Sequence, residues 1–154
     1  MNIAHLDALP GLRTDIDAEL GDDEKVVFTA RFSCFGTETD QFLGGRSSRL
    51  YLTNRRIIAD NTVGLWSVDL VEDVADCEIV ERGIPFLKST VVRVCLNRTV
   101  AYGDGHATLQ GFRFYLKSKD GEHFAALMNG ADFQRPVTTH VIAASHSRCR
   151  LQHH

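Results

Sequence analysis

Residues 120–131 read Asp-Gly-Glu-His-Phe-Ala-Ala-Leu-Met-Asn-Gly-Ala, and Phe124, Leu127, Met128 and Ala131 fall at i, i+3, i+4 and i+7. Such spacing collects the apolar side chains on one helical face. After a Lys119-Asp120-Gly121 turn it predicts an amphipathic helix over 122–131, with Asp120 placed to cap its N-terminus and the helix finished before Pro136. The chain before it has a different period. Val92, Val94 and Leu96 share a face, Gly103-Asp104-Gly105 turns, and Phe112, Phe114 and Leu116 share a face on the return. Gly111 marks a bend in an otherwise overlong strand. One helix after a long period-two region decides the architecture, because a closed barrel leaves no apolar groove for it. A split barrel, two twisted sheets packed nearly orthogonally, leaves an open end that a helix plugs.

Earlier stretches supply the remaining strands. From Lys25 the residues Val26, Phe28, Ala30, Phe32 and Cys34 share one face while Thr29, Arg31 and Ser33 take the other. Residues 36–46 form a polar, Gly-rich loop around Phe42 and Leu43. Leu50 and Leu52 alternate with Arg49 and Tyr51, Thr53-Asn54 turns, and 56–60 returns before a second turn at Asp60-Asn61. Trp66, Val68 and Leu70 alternate next, then 74–81 with Cys77 and Ile79 inward, until Gly83 and Pro85 break the chain. At the other end, Leu12, Ile16 and Leu20 follow Pro10 at helical spacing and predict a short helix over 11–20, ended by Gly21. The fold expected is mainly β: about seven antiparallel strands in a split barrel capped by a C-terminal α-helix, with a short N-terminal helix. Residues 1–21 are the N-terminal helical segment, 22–133 the barrel domain and 134–154 a flexible tail, since the tail has no sustained periodicity.

The chain has 154 residues, 44% hydrophobic and 24% charged, which suits one ordinary domain able to bury roughly 70% of its unfolded surface without staples. No apolar run approaches the ~20 residues that span a bilayer, and Met1 to Leu12 lacks a basic segment followed by an apolar one, so the expected location is cytoplasmic. Cys34, Cys77, Cys95 and Cys149 are widely spaced with no CxxC, which suits reduced thiols. A formal net charge of −3 argues against nucleic acid as a partner. The distribution of charge is uneven: residues 1–24 hold seven acids against Arg13 alone, whereas 25–60 hold six bases against three acids. Within the latter, Arg46, Arg49, Arg55 and Arg56 fall in eleven residues with no acid among them.

The run Leu50-Tyr51-Leu52-Thr53-Asn54-Arg55-Arg56-Ile57-Ile58-Ala59, followed by Gly64-Leu65-Trp66-Ser67-Val68-Asp69-Leu70 and Asp73-Val74, resembles the pleckstrin-homology-like superfamily. The likeness is to bacterial PH-like and GRAM-like domains in particular, whose second and third strands read as an LTN-x-R hairpin, and it covers about residues 22–133. It implies a non-enzymatic domain that binds lipid headgroups, peptides or proteins and that in some members oligomerises. Inositide binding is not implied, because the first loop carries Glu38 and Asp40 and only Arg46 at its end.

The arginines 46, 49, 55 and 56 are the candidate anion-binding or partner-binding residues, since guanidinium forks suit phosphate oxygens and Gly44-Gly45 lets backbone N–H groups approach an anion. The competing reading is hairpin chemistry, with Arg56 anchoring the turn and Arg49 and Arg55 on a solvated face. His140, His146, Cys149, His153 and His154 offer imidazole and thiolate ligands, yet the tail shows no scaffold for a tetrahedral zinc site, so neither metal nor cofactor is expected. Ser47 and Ser48 lack a GxSxG elbow, and no HExxH, P-loop or GxGxxG occurs. The adjacent acids Asp22, Asp23 and Glu24, and Glu72 and Asp73, read as turns or solvated surface. The expectation is a non-catalytic binding or scaffolding module, with a protein partner or self-association first and weak contact with anionic membrane second. The alternative is a small barrel whose phenylalanines line a cavity for an apolar ligand.

Overall fold

The computed structural model describes residues 1, 3–16, 18–37, 48–61, 64–81, 89–102 and 107–130, without the side chains of 34, 35, 37, 61, 64, 102, 107 and 108. Of the loop expected over 36–46, residues 36 and 37 instead continue the first strand, paired with Arg113 and Phe112, and the rest lies outside the described residues, as do the Gly83–Pro85 break, the Gly103–Gly105 turn and the tail from 131. Seven strands run in chain order: β1 (Val26–Thr37), β2 (Ser48–Thr53), β3 (Arg56–Asn61), β4 (Gly64–Asp69), β5 (Val74–Glu81), β6 (Ser89–Tyr102) and β7 (Ala107–Lys117). Helix α1 (Ala4–Asp7) precedes them and α2 (Ser118–Asn129) follows. All pairs are antiparallel, in the order β4-β3-β2-β1-β7-β6-β5.

Alternation does the folding. Leu50, Leu52, Val92, Val94, Phe112, Phe114 and Leu116 are all fully buried, on the faces that their period assigns them. Bulges adjust the rest. In β1 the register shifts between Val26 and Phe28, so Val27 and Phe28 join the main core while Val26 turns to a second, smaller cluster with Tyr51 and Ile58. The pairing of β6 with β7 jumps from Cys95↔Gly111 to Val100↔Leu109, an irregularity beside Gly111 whose extra residues lie in β6. Trp66 donates its Nε1–H to the Ala101 carbonyl at 3.3 Å and sets its ring edge-on to Phe112, tying β4 to the far end of β6.

Helix α2 packs on β5, β6 and β7 and buries Phe124, Ala125, Leu127 and Met128, as the plug of the open end. It starts four residues earlier than expected. Asp120 is therefore inside the first turn, where its charge favours the helix dipole, and Lys117 stands at the cap position with no side-chain cap bond. Gly121 lies inside the helix instead of in a turn, and the position holds glycine because a Cβ there would meet Thr90 Cβ at 2.7 Å. Gly121→Ala should destabilise by up to about 2 kcal/mol, since overpacking of about 1–3 kcal/mol outweighs a helix-propensity gain of about 1. Thermal unfolding checks this, and a raised melting temperature would show that α2 can ride off β6. Gly130, at φ +62°, closes the helix with its N–H directed at the Ala126 and Leu127 carbonyls.

The N-terminal segment departs from its expected form. The short helix is Ala4–Asp7, with Ile3 and Leu6 buried in the main core, and the described residues of 11–20 are not helical. Leu12 spends its N–H on the Val26 carbonyl at 2.7 Å and leaves its side chain exposed. Ile16, Ala18 and Leu20, at period two, pack instead on the Val26, Tyr51 and Ile58 cluster. Three apolar residues on a narrow helical face bury less than the same chain laid as a strap across a sheet.

Candidate functional site

The expected arginine cluster lies on the β2–β3 hairpin, where the Leu-Thr-Asn-Arg-Arg run is built around two buried polar side chains. Thr53 Oγ1 accepts the N–H groups of Arg55 and Arg56 at 3.0 and 2.9 Å and so closes the turn. Asn54 is only 2% exposed. Its Oδ1 accepts the Lys25 N–H at 2.9 Å, and its Nδ2 donates to Asp7 Oδ1 at 2.8 Å and to the Asp23 carbonyl at 3.0 Å. The two following arginines continue the same work. Arg55 pairs with Asp7 at 3.2 Å, and Arg56 sets Nε between both oxygens of Glu24 at 2.8 and 3.0 Å while donating to the Glu19 carbonyl at 2.6 Å. Glu24 is nearly buried, so the second pair is the consequential one: losing Arg56 would strand a carboxylate. Two acids of the N-terminal segment thus neutralise two arginines of the hairpin within the chain.

Arg49 is elsewhere. It stands near the start of β2, and four residues at ~3.3 Å each put it roughly 13 Å along the strand from Thr53, where the turn that carries Arg55 begins. Arg46 lies outside the described residues. Arg49 donates to Thr29 Oγ1 at 3.4 Å, faces Arg31 across β1 and Asp60 across β3, and makes no ion pair among the described residues. A cavity of about 270 Å³ opens beside it, lined by Arg13, Thr14, Asp15, Thr29, Arg49 and Tyr51. Leu12, hydrogen-bonded to β1, and Ile16, packed on Tyr51's cluster, hold residues 13–15 over the sheet from both sides. The strap residues of this pocket were not legible in the sequence: Arg13 and Thr14 reach β1 and β2 only because the chain crosses the sheet as a strap.

The other candidate groups are accounted for structurally. Burial pushes the Cys77 thiol well up, with Asp76 adding to the effect, which removes it as a nucleophile at neutral pH. Cys95 is disulfide-bonded, which corrects the expectation of reduced thiols; it faces outward on β6 and is not a core residue. Ser48 is buried. Asp73 accepts the Asp69 N–H at 2.8 Å and pairs with Arg98, whose guanidinium it holds above its ordinary pKa chiefly through that hydrogen bond. Arg93, buried on the outward face of β6, pairs with Glu78. The tail histidines and Cys149 lie outside the described residues.

No family model matches this chain, and no curated protein matches it. Among solved structures it is similar to the Vps36 N-terminal PH domain, at a TM-score of 0.53 and 18% identity, over 73% of this chain and 82% of that one. The likeness is one of fold. Seven antiparallel strands in one sheet, with a C-terminal helix plugging the open end, make a PH-like fold.

Proposed function

We propose that the chain is a non-catalytic binding or scaffolding module, of the GRAM-like kind found in bacteria, which engages a protein partner or a second copy of itself through its surface. One observation carries this reading: among the described residues, the space between the sheet and α2 is filled by aromatic rings. Phe28 packs on Phe124, Phe124 on Phe114, and Phe114 on both Phe32 and Phe112, with ring centroids 5.2 to 6.2 Å apart and every ring at most 4% exposed. Rings that fill the space between the sheet and α2 do not line a lumen, which weighs against the apolar-ligand barrel. Recognition then falls to loops, strand edges and the outer faces. The unit we assign to this role is 22–133, with 1–21 strapped to it and 134–154 as a tail, and we place it in the cytoplasm. No described helix is long and apolar enough to cross a membrane.

Immobilised full-length chain should retain a defined protein from a lysate of its native cells, and native mass spectrometry of the purified chain should give its bare mass. A copurifying apolar small molecule would reverse the ranking of the two readings. Locating the disulfide tests the compartment. If Cys95 stays oxidised when thiols are blocked at lysis, the module belongs to an oxidising compartment instead.

The four arginines remain the proposed anion-facing or partner-facing residues, but Arg55 and Arg56 already answer carboxylates. With Arg46 and Arg49 alone, at about 1 kcal/mol each near an anionic surface, membrane attraction is roughly 2 kcal/mol. Binding to acidic vesicles should therefore be detectable at low salt, vanish near physiological salt where screening acts over ~8 Å, and be lost in Arg46→Ser/Arg49→Ser without a change in melting temperature. Salt-resistant binding that needs these arginines would promote the membrane over the protein partner.

A further inference from the structure

We propose that the outer face of β1 and β2 carries a phosphomonoester site, built by Arg13 and Thr14 of the N-terminal strap with Thr29 and Arg49 of the sheet. The inference goes beyond the protein-binding reading and does not rest on it. Its starting point is which cations the fold leaves unused. Arg55, Arg56, Arg93 and Arg98 all sit in salt bridges, whereas Arg13, Arg31 and Arg49 have no ion pair among the described residues. These three converge on one face. Arg31 and Arg49 are directly opposed in the β1–β2 register, a like-charge arrangement that costs stability unless something negative lies over it. Arg13 comes over the same face because the Leu12 hydrogen bond to Val26 and the packing of Ile16 hold the strap there.

The walls define the ligand. Arg13 and Arg49 offer guanidinium forks and Thr14 and Thr29 offer hydroxyls around about 270 Å³, room for a phosphate group and a few further atoms. Two acids belong to the neighbourhood: Asp15 lines the pocket, and Asp60 faces Arg49 across β3. Against three arginines they leave one net positive charge, which is too little to hold a bare anion firmly. Asp15 accepts hydrogen bonds only, so it rewards a hydroxyl carried by the same molecule and repels a lone phosphate. A phosphomonoester of a small hydroxyl-bearing molecule, at −1.5 to −2 charge, meets both requirements. Such a group is found on soluble metabolites and on lipid headgroups alike.

The test is an amide chemical-shift titration of the full chain with inorganic phosphate and with glycerol 3-phosphate. Saturable shifts at Thr14, Thr29 and Tyr51, with glycerol 3-phosphate the tighter ligand, are expected. Arg13→Gln, which alters an exposed side chain with no ion pair among the described residues, should weaken binding about tenfold or more, the loss of one charge-assisted hydrogen bond. Asp15→Asn should tighten inorganic phosphate and erase the preference for glycerol 3-phosphate. Cosedimentation with phosphatidylcholine vesicles containing phosphatidic acid, competed by glycerol 3-phosphate, assigns the lipid source; titration without cosedimentation assigns a soluble one. Absence of saturable shifts at these residues, or shifts unchanged in Arg13→Gln, meaning an adventitious ion only, would overturn the site and leave the protein-partner reading untouched.

Discussion

Leu127→Asp should lower the melting temperature by roughly 10–20 °C, the equivalent of about 4–6 kcal/mol in a chain of this size. Leu127 is 4% exposed and sits on the face of α2 that closes the barrel. Losing its burial costs about 1.5–3 kcal/mol, and a carboxyl group left without a partner in the same place adds a comparable desolvation cost. Leu127→Ala separates the two, since truncation alone costs about 2–5 kcal/mol. The buried charge also has a sign. A carboxyl desolvated in the folded state has its pKa raised above the unfolded value near 3.9, so the folded state binds the extra proton and stability falls as pH rises through that interval. The deficit of Leu127→Asp relative to Leu127→Ala should therefore shrink toward pH 4. Equal melting temperatures for Leu127→Asp and the parent chain would mean that α2 does not plug the barrel.

The fold was legible where burial is one-sided and periodic. Val92, Val94 and Leu96 on β6, Phe112, Phe114 and Leu116 on β7, and Phe124, Leu127 and Met128 on α2 point where their spacing sends them, because shifting a strand by one residue would expose the whole set. It was not legible where two periods compete. Leu12, Ile16 and Leu20 repeat every four residues and Ile16, Ala18 and Leu20 every two; only the second pattern matches the apolar cluster that Val26, Tyr51 and Ile58 leave on the outer face of the sheet. That cluster exists because a bulge turns Val26 away from the main core, and a bulge leaves no periodic mark. Gly121 misled for a similar reason: beside Lys119-Asp120 it reads as a turn, but it is small because Thr90 is close.

The site divides the same way. The bond of the Arg56 N–H to Thr53 is local to the Thr53-Asn54-Arg55-Arg56 run, whereas the partner of its side chain, Glu24, lies thirty-two residues back. The charge asymmetry between 1–24 and 25–60 held the long-range half of the answer in coarse form. The arginine cluster was the candidate for an anion or a partner, and the carboxylates that two of its members meet belong to the chain itself, Asp7 at Arg55 and Glu24 at Arg56. Arg13, Arg31 and Arg49 make no ion pair among the described residues, and no stretch of sequence displays them as a cluster.

Asn54→Ala should be the most damaging polar substitution in the hairpin, at about 3–5 kcal/mol and roughly 6–20 °C in melting temperature. Three hydrogen bonds go with the side chain: from the Lys25 N–H, to the Asp23 carbonyl, and to the Asp7 carboxylate. The two neutral ones are worth about 1 kcal/mol each and the charge-assisted one about 1.5–3. Alanine fills none of these roles and leaves backbone groups of Lys25 and Asp23 short of a partner in a place that admits little water. Asn54→Asp keeps the shape and the acceptor for Lys25 but sets a carboxylate 2.8 Å from that of Asp7, so it should be at least as destabilised at neutral pH and recover on acidification, as one carboxyl takes up the proton that lets it donate. The location of the damage is as informative as its size. Asn54 ties α1, the Asp23 turn and β1 to one side chain, so its loss should free the strap before the barrel, and limited proteolysis of Asn54→Ala should cut first between residues 8 and 23. An unchanged melting temperature together with an unchanged cleavage pattern would show that the Thr-Asn-Arg-Arg run serves something other than holding the N-terminal segment to the sheet.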